Sequence, residues 1–216
     1  MKIPTNWSFH NEEIANNFDN HVREQLPWYD LVTNAVVHIG RHYIQDESLV
    51  YDIGASNGNI ARALTPILKQ RNAYIVGIDN SKDMVNNYKS DYSDIRLADA
   101  LTFDYKQSDL IVCFLTMMFI PPKYRSMLID RFMSSLNKGG ALVIVDKCLP
   151  VSGYPSIIMS RLALNEKLNS GATPKDIIDK ELSLSGVQIP IDTCILPENA
   201  VEFFRFGDFA GWIIEK

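Results

Sequence analysis

Leu49-Val50-Tyr51-Asp52-Ile53-Gly54-Ala55-Ser56-Asn57-Gly58 reads as an apolar strand running into a turn with two glycines. Behind it Ile60, Leu64, Ile67 and Leu68 recur at helical spacing, so the chain reverses between Gly54 and Gly58. Glycine in such a turn permits positive φ and lets a ligand approach bare backbone. The amides that open the following helix favour a carboxylate or phosphate. The next apolar run, Ala73-Tyr74-Ile75-Val76-Gly77-Ile78, ends in Asp79, which is 79 minus 54, or 25, positions after the first glycine. An acid about 20 residues on suits a ribose diol, because one carboxylate can accept from both hydroxyls. This is a nucleotide-binding layout.

Two other chemistries fit the turn less well. The dinucleotide fingerprint G-x-G-x-x-G is absent, since only Gly54 and Gly58 are present. Gly54-Ala55-Ser56-Asn57-Gly58 also matches a G-x-S-x-G nucleophile elbow with Ser56 as nucleophile. That fold supplies its histidine after the serine, and His10, His21, His38 and His42 all precede it. A ligand-free turn kept short by glycine is the plain alternative, and Asp79 argues against it.

Working outward, strands are predicted at Ile95 to Ala98, Leu110 to Leu115 and Ala141 to Val145, the last a continuous apolar run and so buried on both faces. Ser81 is placed to cap a helix ending near Ser90, and Pro121-Pro122 opens another that runs through Leu136 to a Gly139-Gly140 stop. A helical lead from Asn11 to Tyr43 is broken at Pro27. After Pro150 come helical patterns at Pro155 to Leu168 and from Thr173, then an irregular Gly186 to Glu198. A hairpin, Val201 to Phe206 with Phe209 to Ile214, closes the chain. The βα alternation predicts an α/β fold, a mostly parallel seven-stranded sheet with a C-terminal antiparallel hairpin and helices on both faces. One domain is expected over residues 1–216, with a helical cap at 11–45 and a substrate-covering insertion at 150–198. Ligands of open sheets bind beyond the carboxyl ends of the strands, which collects Gly54, Asp79, Asp99, Phe114 to Met117 and Asp146 at one edge.

Composition bounds the partners. At 216 residues, 46% hydrophobic and 22% charged, the chain can build a core without disulfide or metal support. No stretch nears the ~20 apolar residues of a membrane span, and Met1 to Trp7 lacks an apolar signal core, so a cytoplasmic protein with no membrane partner is expected. Three cysteines, Cys113, Cys148 and Cys194, leave one unpaired in any scheme, and Cys113 and Cys148, at the ends of apolar runs, read as small buried hydrophobes. The net charge of -5 disfavours DNA. Lys69 with Arg71, and Lys123, Arg125 and Arg131 on one helix, read as solvated faces rather than a phosphate track. A small-molecule partner follows, and no metal-ligand spacing is present.

Val50-Tyr51-Asp52-Ile53-Gly54 with Gly58, then Gly77-Ile78-Asp79-Asn80-Ser81, Ala98-Asp99-Ala100 and Leu136-Asn137-Lys138-Gly139-Gly140-Ala141-Leu142, resembles in order the motif series of class I S-adenosylmethionine (SAM) dependent methyltransferases. Phe18-Asp19 with Val22, and Pro27 with Tyr29, are similar to carboxy-SAM synthase and its methyltransferase relatives, which act in tRNA wobble-uridine modification. The resemblance covers residues 18 to 148 well and the end from Val201 loosely. It implies a Rossmann-like class I methyltransferase fold and SAM, or a derivative such as carboxy-SAM, as cofactor. By the same resemblance Gly54, Ala55 and Ser56, in the turn that Gly58 closes, pass under the methionine part, and Asp79 holds the ribose with Asn80 beside it. Asp99 and Ala100 would meet the adenine, and Tyr29 the amino-acid end. Where the synthases carry an asparagine at the end of strand four, this chain has Phe114. Where they set an arginine against the extra carboxylate, it reads Asp179-Lys180-Glu181, and a lysine lacks the planar two-pronged geometry of arginine.

These departures put methyl transfer from SAM to a small or nucleoside-like acceptor first and carboxy-SAM synthesis second. A catalytically silent SAM-binding regulator is the reading from another class. Methyl transfer from a sulfonium needs alignment and an apolar surround more than it needs an acid, and positioning alone supplies ~7 to 11 kcal/mol. A base is needed only where the reacting atom carries a proton, and Asp146, His21 and Tyr29 are the candidates. A tRNA-pathway contact and a homodimer stay open.

Overall fold

In a computed structural model of the chain, residues 7–150 and 152–216 are described. The Leu49 run forms β1 (Leu49–Ile53), and the helical pattern after it forms α3 (Asn59–Gln70). Ahead of them lie α1 (Glu12–Gln25) and α2 (Tyr29–Tyr43), separated at Pro27 as the sequence predicts. Then follow β2 (Tyr74–Asp79), α4 (Lys82–Asn86), β3 (Asp94–Leu97), β4 (Ser108–Phe114), α5 (Pro122–Ser135) and β5 (Leu136–Lys147). The C-terminal part holds α6 (Tyr154–Asn169), α7 (Pro174–Ser183), β6 (Val201–Phe206) and β7 (Phe209–Glu215).

The seven strands form one sheet in the order β3-β2-β1-β4-β5-β7-β6. β1 to β5 run parallel, whereas β7 pairs antiparallel with β5 and β6. Strand side chains alternate between faces, and both faces are covered. Val50, Ile75, Leu110, Val112 and Val143 meet α2 and α3 on one face. Tyr51, Ile53, Ile78, Ile111 and Ile144 meet Leu128, Ile129 and Phe132 of α5 on the other. That double burial explains the unbroken apolar runs. The strand order reverses at β1, where β2 and β4 flank it and a crevice opens.

Two elements end elsewhere than the periodicity predicts. α4 has five residues rather than running to Ser90; Asn86 and Asn87 are poor helix formers, and the Asn87 amide side chain bonds back to the Asp83 carbonyl. α5 stops at Ser135, not at the glycines. Leu136 turns directly to extended backbone, so Asn137 to Gly140 belong to β5. Asp109 recruits this segment, its carboxylate accepting from the Asn137 side chain at 2.8 Å.

The basic residues of α5 also need correcting. Arg125 is buried and donates to the carbonyls of Ile120, Pro190 and Ile189, tying the irregular segment after α7 to α5. Arg131 donates to Leu101 and Phe103 carbonyls and lies over the Tyr105 ring. These guanidiniums staple carbonyls rather than face solvent. Cys113 and Cys148 are buried, Cys194 is exposed, and all are free. Among the described residues no helix is long and apolar enough to cross a membrane and no side-chain cluster suits a metal.

Candidate cofactor and acceptor site

The carboxyl ends of β1, β2 and β4 floor a cavity of about 230 Å³. Its first edge is the turn after β1, where Gly54, Ser56 and Gly58 all have positive φ. A Cβ on Gly54 would stand 2.2 Å from Thr116 Oγ1, and the Thr116 hydroxyl is itself held on the Ile53 carbonyl at 2.9 Å. Gly54 and Ala55 both donate to the Ile78 carbonyl, which draws the turn against the end of β2. On the β4 side Leu115 lies at φ 55, a conformation that costs a branched side chain ~1–3 kcal/mol and is held by its amide on the Val145 carbonyl.

Asp79 ends β2 between two amides. Its Oδ2 accepts from Ser56 at 2.9 Å and its Oδ1 from Ser81 at 2.8 Å. Burial raises its pKa and these amides oppose the rise. Each oxygen retains acceptor capacity toward the cavity, which a pair of hydroxyls can use. Asp52, buried within β1, also lines the cavity, and its Oδ2 has no hydrogen-bond partner among the described residues. Burial, then Asp79, pushes its pKa up to about 7, with Arg62 opposing. A buried carboxylate oxygen without a donor is a costly feature that a ligand cation or donor would relieve.

The walls are aromatic. Tyr29 starts α2 and meets Phe114 edge-on at 5.3 Å between centroids, with the Arg23 guanidinium over its ring. Trp7, Phe9, Phe18 and Phe119 close the cavity from above, and Trp7 stacks on His21. The region above is charged as well. Lys147 at the end of β5, Lys167 of α6 and Lys180 with Glu181 of α7 all line it. Two effects oppose each other at Lys180. Burial, then Lys167, pulls its pKa down to about 6, whereas the indole face of Trp7 beneath the amine favours the ammonium.

Of the residues singled out from sequence, Tyr29, Gly54, Ala55, Ser56, Asp79, Asn80, Asp99, Ala100, Phe114 and His21 line this one cavity. Gly58 does not; it is the left-handed cap of α3, where the Tyr88 ring would meet a Cβ at 2.9 Å. Asp146 does not either. It is fully buried, accepts from the amides of Lys147 and Met118, and has a pKa raised by burial to about 7. It anchors the chain after β4 rather than facing an acceptor. Tyr29 faces the cavity, but burial, then Asp19, holds its phenol above the usual range, so it is no base near neutral pH. His21 is neutral there: burial, then Lys180, lowers its pKa to about 4. Asp52 escaped the sequence reading although a charge inside an apolar strand was its signal. Lys180 and Glu181 were reached only through the resemblance, in the stretch Asp179-Lys180-Glu181, and Lys147 and Lys167 carried no signal, because only the tertiary fold brings the four together.

A methyltransferase domain family matches residues 50–140, the span from β1 into β5. A Staphylococcus epidermidis protein named carboxy-S-adenosyl-L-methionine synthase is 34% identical over 97% of this chain and 92% of its own length. The chain belongs to the carboxy-SAM synthase family of SAM-dependent methyltransferases. A second protein of that name, from Ruthia magnifica, is 32% identical over 85% of this chain and 80% of its own. The family's fold is matched in a plantazolicin methyltransferase solved with SAH, with TM-score 0.63 and 15% identity over 94% of this chain and 89% of that one. Membership makes SAM the cofactor of this chain and makes the protein a SAM-dependent enzyme of Rossmann-like fold.

Proposed function

We propose that this enzyme transfers the methyl group of unmodified SAM to a small, nucleoside-sized acceptor. The carrying observation is the meeting of two unlike halves in one cavity. A polar floor, Asp79 and Asp52 with its Oδ2 unpartnered among the described residues, at the Gly54 turn, adjoins an aromatic wall of Tyr29 and Phe114. The floor fits the cofactor. Asp79 would take the ribose hydroxyls, Asp52 the positive amino group of the methionine end, and the close-packed Gly54 and Ala55 backbone would run beneath it. Asp99 and Ala100 would border the adenine.

SAM, when bound, supplies an electrophilic methyl on a positive sulfur. The chain's own residues then have three tasks. Tyr29 and Phe114 keep the reacting region apolar, and the aromatic cover over them excludes water. The strand ends fix the distance between donor and acceptor. Where the acceptor carries a proton at the reacting atom, His21 is the neutral base facing the cavity, its Nε2 buried with no partner among the described residues.

The second reading, carboxy-SAM synthesis, is favoured by the names of the Staphylococcus and Ruthia relatives. Phe114 weighs against it, standing where the synthases carry an asparagine, and Lys180 with Lys147 and Lys167 in the same cavity could meet an added carboxylate only as point charges, without the two-pronged geometry of arginine. One experiment separates them. The purified enzyme is incubated with methyl-labelled SAM and fractionated small metabolites and nucleosides, followed by mass spectrometry. Label leaving SAM for an acceptor, with SAH accumulating, supports the first reading. A protein-bound cofactor heavier by one carboxylate establishes the second, and SAM bound with no turnover on any fraction favours the silent regulator.

A further inference from the structure

The side of the cavity formed by α1 and the chain before it carries buried polar atoms with nothing to bond. Trp7 Nε1, His21 Nε2 and Gln25 Oε1 have no hydrogen-bond partner among the described residues, and all three residues line the cavity. They belong to one patch. His21 and Gln25 stand one turn apart on α1, and the Trp7 indole stacks on the His21 ring at 5.5 Å between centroids and 29° between planes. Phe9 extends the patch as an apolar surface, edge-on to Trp7 at 5.9 Å and to Phe18 at 6.0 Å.

A buried polar atom left unpaired is costly, so three in one wall call for a common partner. Their chemistry describes it. The indole N–H only donates, the amide oxygen only accepts, and the imidazole nitrogen can do either. None of the three groups is charged near neutral pH, because burial, then Lys180, keeps the imidazole unprotonated. A ligand that offers a carbonyl oxygen and an N–H side by side on a flat ring satisfies this wall. A carboxylate does not, since it has no donor for Gln25 Oε1.

We propose that Trp7, His21 and Gln25 form the recognition edge for the methyl acceptor, and that this acceptor is a neutral aromatic carboxamide or ring lactam. Its carbonyl oxygen takes the Trp7 N–H, its own N–H meets Gln25 Oε1, and its ring lies against Phe9. In the transfer, a lone pair of the acceptor forms the bond to the methyl carbon and the carbon–sulfur pair stays on the sulfur of SAH. A proton on the reacting atom passes to His21 Nε2. This deepens the methyltransferase reading and rests on it.

The probe is nicotinamide, titrated calorimetrically into the enzyme–SAH complex beside nicotinate, which keeps the ring and exchanges the amide for a carboxylate. Wild type should bind nicotinamide at least ~10-fold more tightly than nicotinate, because the carboxylate leaves the wall unpaired. Trp7→Phe keeps an aromatic ring and Gln25→Met keeps the chain length; each should weaken nicotinamide about 5- to 10-fold, roughly one hydrogen bond, and leave nicotinate unmoved. A merely structural role would weaken both probes alike. Nicotinate bound as tightly as nicotinamide, nicotinamide not bound at all, or both variants indifferent to the amide overturns the proposal. SAH titration shows whether each variant is folded, and if one is not, the wild-type contrast between the probes and the other variant decide. Wild type that binds SAH but not nicotinamide sinks this inference alone, whereas wild type that fails to bind SAH sinks the cofactor assignment beneath it.

Discussion

Replacing Asp52 with Asn should make the empty enzyme more stable and the cofactor site weaker. Folding raises the Asp52 pKa from the ordinary 3.8 to about 7, chiefly by burial and then through Asp79. A raised acid favours the folded state when protonated. That stabilisation is complete below the ordinary value and is lost as pH rises through about 7. At about 1.4 kcal/mol per pH unit, the ionised carboxylate costs the folded protein on the order of 4 kcal/mol above that range. Asparagine cannot ionise, but it buries an amide donor, which returns about 1–3 kcal/mol of that cost. The net gain expected for Asp52→Asn above the folded pKa is about 1–3 kcal/mol. Urea denaturation at pH 5 and pH 8 isolates the titration, because the difference between variant and wild type should move by about 3 kcal/mol in the variant's favour. Asp146, which titrates in the same range, is present in both proteins and cancels. SAH should show the opposite trend. Its amino group would pair with the ionised carboxylate, so wild-type affinity should rise about tenfold from pH 6 to pH 8, and Asp52→Asn should be weak and flat. Parallel stability profiles together with unchanged SAH affinity would refute the placing of this carboxylate.

Asp79→Ala removes an acceptor of charge-assisted hydrogen bonds worth ~1.5 to 3 kcal/mol each, so calorimetry should find SAM weakened at least tenfold. Gly54→Ala puts a methyl group 2.2 Å from Thr116 Oγ1 at φ +69, and a loss of about 2–4 kcal/mol in denaturant unfolding is expected. Adding Thr116→Ala should recover only part of it, since the Thr116 Cβ still stands at 3.0 Å and the strained φ remains. Arg125→Ala strands the carbonyls of Ile120, Ile189 and Pro190 and should cost about 3 kcal/mol or more, with hydrogen exchange quickening around Ile189.

What the residues determined by themselves was local. The run Leu49 to Ile53, its glycine turn and the acid closing the next strand carry their meaning in spacing, because strand alternation, helix period and permissive glycine φ act over a few bonds. From these came the α/β order and the terminal hairpin, and from the strand ends Gly54, Asp79, Asp99 and Phe114 of the cavity, whereas Tyr29, Ala55, Asn80 and Ala100 were placed there only by the family resemblance. Element ends were less legible. α5 gives way to β5 before the glycines because Asp109, distant in sequence, holds Asn137. Burial and long-range pairing were decided only by the tertiary structure. It turns Asp146 inward onto amides, leaves Asp52 Oδ2 at the cavity floor without a partner among the described residues, and uses Arg125 as a staple. It also gathers Lys147, Lys167 and Glu181 from three elements into one ion cluster. The physical reason is that a side chain's charge state and partners depend on dielectric and on neighbours far along the chain, and neither has a period in sequence.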